Sequence, residues 1–226
     1  MTNHQDNALP LETQRRAPAS GSPPKQLVVL LHGVGADGAD LIELAPMFAG
    51  ALPDAEFLAP DAPFPCDMAP MGRQWFSLRE MTMDEMLRGA REAEPILGAF
   101  LDQALEARGL GAGDLAVIGF SQGTMMALHA ILRRPEAVAA VVGFSGLLIA
   151  PEVLPAEIKS RPPVLLVHGT ADHVVPFQAM DAAKHALQAA QVPVEAHHRP
   201  GVGHGIDPEG IMLALRHLQQ AFGAAA

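Results

Sequence analysis

Gly119-Phe120-Ser121-Gln122-Gly123 sets a serine between two glycines, each two positions away. The apolar run Leu115–Phe120 leads into this G-x-S-x-G pattern and a run with helical periodicity leads out of it. A serine in a sharp strand-to-helix turn crowds the residues two before and two after it, so glycines there relieve the clash and leave the hydroxyl exposed. The helix N-terminus beside it carries roughly +0.5 charge, which suits a developing oxyanion. The plainer reading is a tight turn with an incidental serine, and the strand–turn–helix context favours the nucleophile. Gly143-Phe144-Ser145-Gly146-Leu147 serves as a comparison within the chain: Leu147 stands where the second glycine would be, so Ser145 is expected to shape a loop.

A serine hydroxyl needs a base to take its proton, and the base needs an acid to orient it. After such an elbow the chain order is acid, then histidine. His129, His185 and His217 fall in helical runs, and His197 and His198 point to opposite faces of a strand. His168 precedes the acid candidate and His173 adjoins it. His204 remains, in Gly201-Val202-Gly203-His204-Gly205, where glycines let the backbone bend toward Ser121. Among the acids between Ser121 and His204, Asp172 alone directly follows a strand end, in Val167-His168-Gly169-Thr170-Ala171-Asp172. A turn or helix cap is its bland alternative. An oxyanion hole would draw on the Gln122 N–H and on the glycine loop Leu31-His32-Gly33-Val34-Gly35, with Val34 N–H as the candidate. That loop also reads as an ordinary glycine turn, in which His32 braces the backbone.

These residues need a scaffold, and the chain supplies one. Short apolar runs suited to strands buried on both faces occur at Gln26–Leu31, Glu56–Ala59, Leu115–Phe120, Ala139–Phe144 and Val164–Val167. Val194–Arg199 is more polar and is expected near a sheet edge. Between them, Ile96–Arg108 predicts a helix with Pro95 in its first turn and Gly109 as its cap. Gln122–Arg133, Phe177–Gln191 and Pro208–Phe222 predict three more. The alternation implies an α/β fold with a mainly parallel sheet and helices on both faces, and such sheets hold their chemistry at the carboxyl ends of strands.

Composition bounds the function. The length of 226 residues fits one domain, and 49% hydrophobic with 18% charged residues fits a globular core. A net charge of −10, from 15 basic and 25 acidic side chains with no basic block, argues against a nucleic-acid partner. The single cysteine, Cys66, builds no disulfide framework and points to a reducing, cytoplasmic setting. Residues 1–24 lack an apolar signal core and read as a flexible arm, with a possible early strand near Leu11–Arg16, before a single domain over 25–226. The longest uncharged apolar stretch, Ala137–Pro151, is too short to span a bilayer, so stable membrane insertion is not expected. No metal site is expected, because His197 and His198 diverge and no carboxylate has ligand spacing.

Five segments in order, LHGVGADG at 31–38, RQWFSL at 73–78, GFSQG at 119–123, GTADHVVP at 169–176 and GVGH at 201–204, resemble the carboxylesterase/phospholipase family of α/β-hydrolases. That family includes acyl-protein thioesterases and small bacterial esterases, and the resemblance runs from about Gln26 to Phe222. It implies an α/β-hydrolase fold without a large cap domain and no cofactor. It further implies a Ser121–Asp172–His204 triad, oxyanion amides from Val34 and Gln122, and Trp75 near the acyl site. The expected substrate is a small-molecule carboxylic ester of short to medium chain. A thioesterase, a lysophospholipase and a non-catalytic binding protein are the alternatives, and monomer and homodimer both stay open. Ser77 stands where many members carry aspartate, and Thr124 where many carry a further glycine. Five of the 11 methionines (Met68, Met71, Met81, Met83 and Met86) lie between Cys66 and Met86. Met81 and Met83 are candidate pocket residues, since methionine adapts to varied acyl chains, and core filler is the even alternative.

Overall fold

The structure is a computed structural model that describes residues 10–223. The first nine residues of the expected arm lie outside the described residues. Its remainder is not loose throughout: Thr13–Arg16 forms strand β1. The other strands of the main sheet are β2 (Gln26–Leu31), β3 (Ala55–Pro60), β6 (Leu115–Phe120), β7 (Ala140–Phe144), β8 (Val164–Gly169) and β9 (Val194–Arg199). A separate two-stranded ribbon joins β4 (Phe64–Pro65) to β5 (Arg73–Gln74). Seven strands run in the order β1-β3-β2-β6-β7-β8-β9. Only β1, paired with β3, is antiparallel.

The chain moves outward from β2 to β3, then crosses back to place β6 on the other side of β2. The β2/β6 boundary is therefore a topological switch point, where loops leave two neighbouring strands in opposite directions and open a crevice. Leu31, the last residue of β2, is in register with Gly119, so the glycine loop and the G-x-S-x-G turn emerge side by side.

Alternation along each strand builds two cores. Leu27, Val29 and Leu31 face one side with Val117 and Val141; Val28 and Leu30 face the other with Ile118 and Val142. The first side is covered by α3 (Met83–Glu106), α4 (Gln122–Ile131), the short α5 (Leu154–Glu157) and α6 (Gln178–Ala189). The second is covered by the short α1 (Gly38–Leu41) and α2 (Ala45–Ala49) and by α7 (Pro208–Ala221). All ten residues of α4 are buried, consistent with its place behind the central strand. Strand β9 ends the sheet and is partly exposed, as its polarity implies.

One helix differs from its expected form. The α3 helix begins at Met83, not near Ile96, and carries Pro95 in its interior. Thr82 caps it by accepting a hydrogen bond from the Glu85 N–H, and Asp84 and Glu85 occupy its first turn. The apolar stripe Met86, Leu87, Ala90, Ala93, Leu97, Phe100 and Leu101 continues through the proline, and this burial offsets the lost hydrogen bond. Gly109 takes φ +64° and ends the helix, as expected.

The turn at the centre depends on missing side chains. A Cβ on Gly123 would collide with the Leu31 carbonyl oxygen, and one on Gly119 would stand 2.5 Å from the Gly123 carbonyl carbon. Backbone cannot yield as a side-chain tip can. Gly123→Ala is expected to cost about 3 kcal/mol or more, read as a lower urea midpoint at unchanged slope.

Candidate active site

Ser121 sits at φ 54°, ψ −116°, a conformation rare for a residue with a Cβ, and its N–H is held by the Phe144 carbonyl at 2.9 Å. Strain at this position throws the hydroxyl above the carboxyl end of β6. His204 arrives on the loop after β9 and Asp172 on the loop after β8. The Ser121 Oγ lies 3.0 Å from His204 Nε2, and His204 Nδ1 lies 2.7 Å from Asp172 Oδ2. Residues 83 and 32 positions apart in sequence thus form one hydrogen-bonded relay. Asp172 can only accept as a carboxylate, so Nδ1 carries a proton and Nε2 is free to accept from the serine. The Phe120 ring lies 5.0 Å from the imidazole, a further constraint on its orientation.

The Asp172 carboxylate is saturated. Val174 and Val175 donate their N–H groups to Oδ1 at 2.8 and 2.9 Å. His168, set aside from sequence as misplaced for a base, donates from Nε2 to the Val175 carbonyl at 2.8 Å and approaches Asp172 Oδ2 at 3.2 Å. It supports the acid. Its position at the end of β8, four residues before Asp172, was the available signal. Burial raises the Asp172 carboxyl pKa, but the hydrogen bonds from His204, Val175 and Val174 outweigh it and hold the group below the ordinary carboxyl range.

The other candidates divide. Gly33 of the β2 loop abuts Ser121, because a Cβ there would lie 3.3 Å from the Ser121 Cβ. Among the described residues, neither the Val34 N–H nor the Gln122 N–H has an acceptor, so both are unclaimed donors. Trp75 is fully buried, with its indole N–H donated to the His32 carbonyl at 3.0 Å, which places it behind the β2 loop beside Ser121. Met81 and Met83 are 68% and 44% exposed, and neither lines the neighbouring cavity of about 430 Å³. That cavity, bounded by Phe64, Gln74, Phe76, Ser77 and charged side chains of α3, also excludes Ser121, Asp172 and His204. The methionine enrichment had two causes the sequence merges: Met83 and Met86 belong to α3, whereas Met68, Met71 and Met81 lie before it. Ser145 keeps a structural place, buried at φ 49° with its hydroxyl 3.4 Å from the Gly205 carbonyl oxygen.

A central parallel sheet of this order, with its elbow at the switch point, is an α/β-hydrolase fold. Residues 14–222 match the phospholipase/carboxylesterase family model. The chain is 34% identical over 200 residues to the esterase YpfH of Escherichia coli K12, covering 87% of this chain and 83% of that protein. It is 30% identical to the carboxylesterase SOBER1 of Arabidopsis thaliana, covering 80% of this chain and 84% of that one. The crystal structure of the esterase PE8 superposes with a TM-score of 0.89 at 43% identity, covering 93% of this chain and 99% of that chain. The chain therefore belongs to the phospholipase/carboxylesterase family of carboxylic ester hydrolases. Among the described residues no cluster of three or more His, Cys, Asp or Glu could hold a metal, and no helix is long and apolar enough to cross a membrane.

The lowered Asp172 pKa fixes the sign of a pH effect. Its folded-state value lies below its unfolded value of about 3.9, so its stabilisation is present above that pH and is lost as pH falls through the folded value. Urea midpoints measured from pH 5 to pH 2.5 should fall less steeply in Asp172→Asn than in the parent.

Proposed function

We propose that the protein is a serine carboxylesterase that hydrolyses short- to medium-chain carboxylic esters through an acyl-enzyme. The observation that carries this reading is the relay from Ser121 Oγ through His204 to a fully hydrogen-bonded Asp172, at 3.0 and 2.7 Å. Ser121 attacks the ester carbonyl carbon while His204 Nε2 takes the hydroxyl proton. The carbonyl oxygen becomes an oxyanion held by the Val34 and Gln122 N–H groups. Asp172 stabilises the imidazolium that forms and keeps its ring in place. His204 then gives its proton to the departing alcohol. A water molecule repeats the sequence on the acyl-enzyme and releases the acid.

The residues that would do this need no group from outside the chain, and a small ester is the partner. A cytoplasmic setting belongs to the same reading, supported by the lone Cys66.

Hydrolysis of p-nitrophenyl esters of increasing acyl length, run beside a matched acyl thioester, tests the substrate class. Turnover should peak at short to medium acyl chains, and a clear thioester preference would displace the carboxylesterase reading. Ser121→Ala should lower kcat by roughly 10⁴-fold or more and abolish labelling by a fluorophosphonate, with the fold intact by circular dichroism. Retention of most esterase activity in that variant would remove Ser121 as the nucleophile.

A further inference from the structure

Trp75, His32 and the side chain of Gln122 are all completely buried, and they are hydrogen-bonded to one another in series. The Trp75 backbone N–H donates to Gln122 Oε1 at 2.9 Å, and Gln122 Nε2 donates to the Phe76 carbonyl at 2.7 Å. A backbone N–H can only donate and a carbonyl can only accept, so this pair fixes the orientation of the Gln122 amide. At its other end, the Trp75 indole N–H donates to the His32 carbonyl at 3.0 Å. The His32 and Trp75 rings lie 5.8 Å apart, centre to centre.

His32 is fixed by the same logic. Its Nε2 accepts from the Ala62 backbone N–H at 2.9 Å, so that nitrogen carries no proton. Its Nδ1 must then carry one, which it donates to the Gly33 carbonyl at 2.7 Å. The bond to Gly33 has a consequence for the next amide. In a trans peptide the carbonyl of one residue and the N–H of the next point in opposite directions. Holding the Gly33 oxygen against the imidazole therefore turns the Val34 N–H away from it. Likewise, holding the His32 oxygen on the indole fixes the peptide plane before. No cis peptide interrupts the described chain.

Val34 and Gln122 are the two candidate oxyanion donors, and they come from separate segments, the loop after β2 and the first residue of α4. Resting on the esterase reading above, we propose that His32, Trp75 and the Gln122 side chain form a buried strut that sets the spacing and aim of the Val34 and Gln122 N–H groups. Trp75 is the member that spans the two: its backbone is fastened to the elbow and its indole to the β2 loop. All three are positioning residues. Their side chains engage one another and the backbone rather than substrate, and of the three residues only the Gln122 backbone N–H faces the oxyanion.

The strut acts on the developing oxyanion rather than on substrate binding. Losing a link should lower kcat and leave KM nearly unchanged, because only the transition state uses the displaced donor fully. In Trp75→Phe the ring remains and the indole N–H is lost. In His32→Asn a donor remains near the Nδ1 position, whereas His32→Gln keeps an acceptor near Nε2 and loses the bond to Gly33. We expect Trp75→Phe and His32→Gln to lose roughly 10- to 100-fold in kcat with KM within about threefold. Affinity for a trifluoromethyl ketone, which presents a tetrahedral oxyanion, should fall by the same factor as kcat/KM. His32→Asn should stay within about fivefold of the parent.

Folded Trp75→Phe or His32→Gln protein with kcat within threefold of the parent overturns the proposal. So does equal loss in His32→Asn and His32→Gln. A second measurement needs neither catalysis nor a stable variant. A long-range ¹⁵N–¹H spectrum of the parent protein should show His32 as the neutral Nδ1–H tautomer at pH 7, and the Nε2–H tautomer would overturn the strut. If the parent hydrolyses no ester, the esterase reading fails and this spectrum still decides the hydrogen-bonded arrangement.

Discussion

Two backbones touch at the centre of this molecule, and most of the rest follows from that contact. The first turn of α4 passes so close to the end of β2 that only glycine fits at position 123, while Gly119 admits the returning helix. Between them Ser121 is held at positive φ. A strained conformation persists only where its surroundings over-determine it. Here the surroundings are a helix buried on all sides and a strand in parallel register with both neighbours. The same contact brings the β2 loop beside Ser121, so one steric constraint both exposes the serine and seats the glycine loop against it.

Around that contact the polar groups are buried and nearly all partnered. Asp172 accepts three hydrogen bonds, from the Val174 and Val175 N–H groups and from His204, and the imidazoles of His32 and His168 donate to backbone carbonyls. Burial lowers the His32 pKa and so favours the neutral ring, while the Ala62 N–H on Nε2 leaves the single proton on the nitrogen facing Gly33. An unpaired polar group in such a place costs about 1–3 kcal/mol, so these networks admit one arrangement. A relay that must hold its atoms to fractions of an ångström benefits from walls of that kind.

The legible parts of the chain were those whose physics is local. Strands at Gln26–Leu31, Leu115–Phe120 and Val194–Arg199 have the expected bounds, because apolar runs ended by polar or glycine residues leave little freedom. Ser121, Asp172 and His204, which the fold brings within hydrogen-bond reach of one another, could be singled out because an elbow, a strand end and a flexible glycine loop each mark their own position. The start of α3 was hidden by Pro95, which reads as a beginning when only its missing N–H is considered. Met81 and Met83 read evenly as pocket lining or core filler, because composition records what a segment contains and not which way it faces.

By itself, the sequence determined the order of the six main strands and four long helices, the G-x-S-x-G turn and the set of side chains able to form a relay. These depend on periodicity and on short-range sterics, which a linear chain carries in full. Tertiary structure decided that β6 crosses to the far side of β2, and hence which loops meet. It also buried Trp75 and chose the partners through which the bracing His32 and the neighbouring His168 are held. Such roles arise from partners 43 or more residues away, as with Trp75 and His32, or from the completion of a hydrogen-bond set, as around Asp172. No local pattern encodes them, because an N–H or a carbonyl looks the same in every residue until folding chooses its partner.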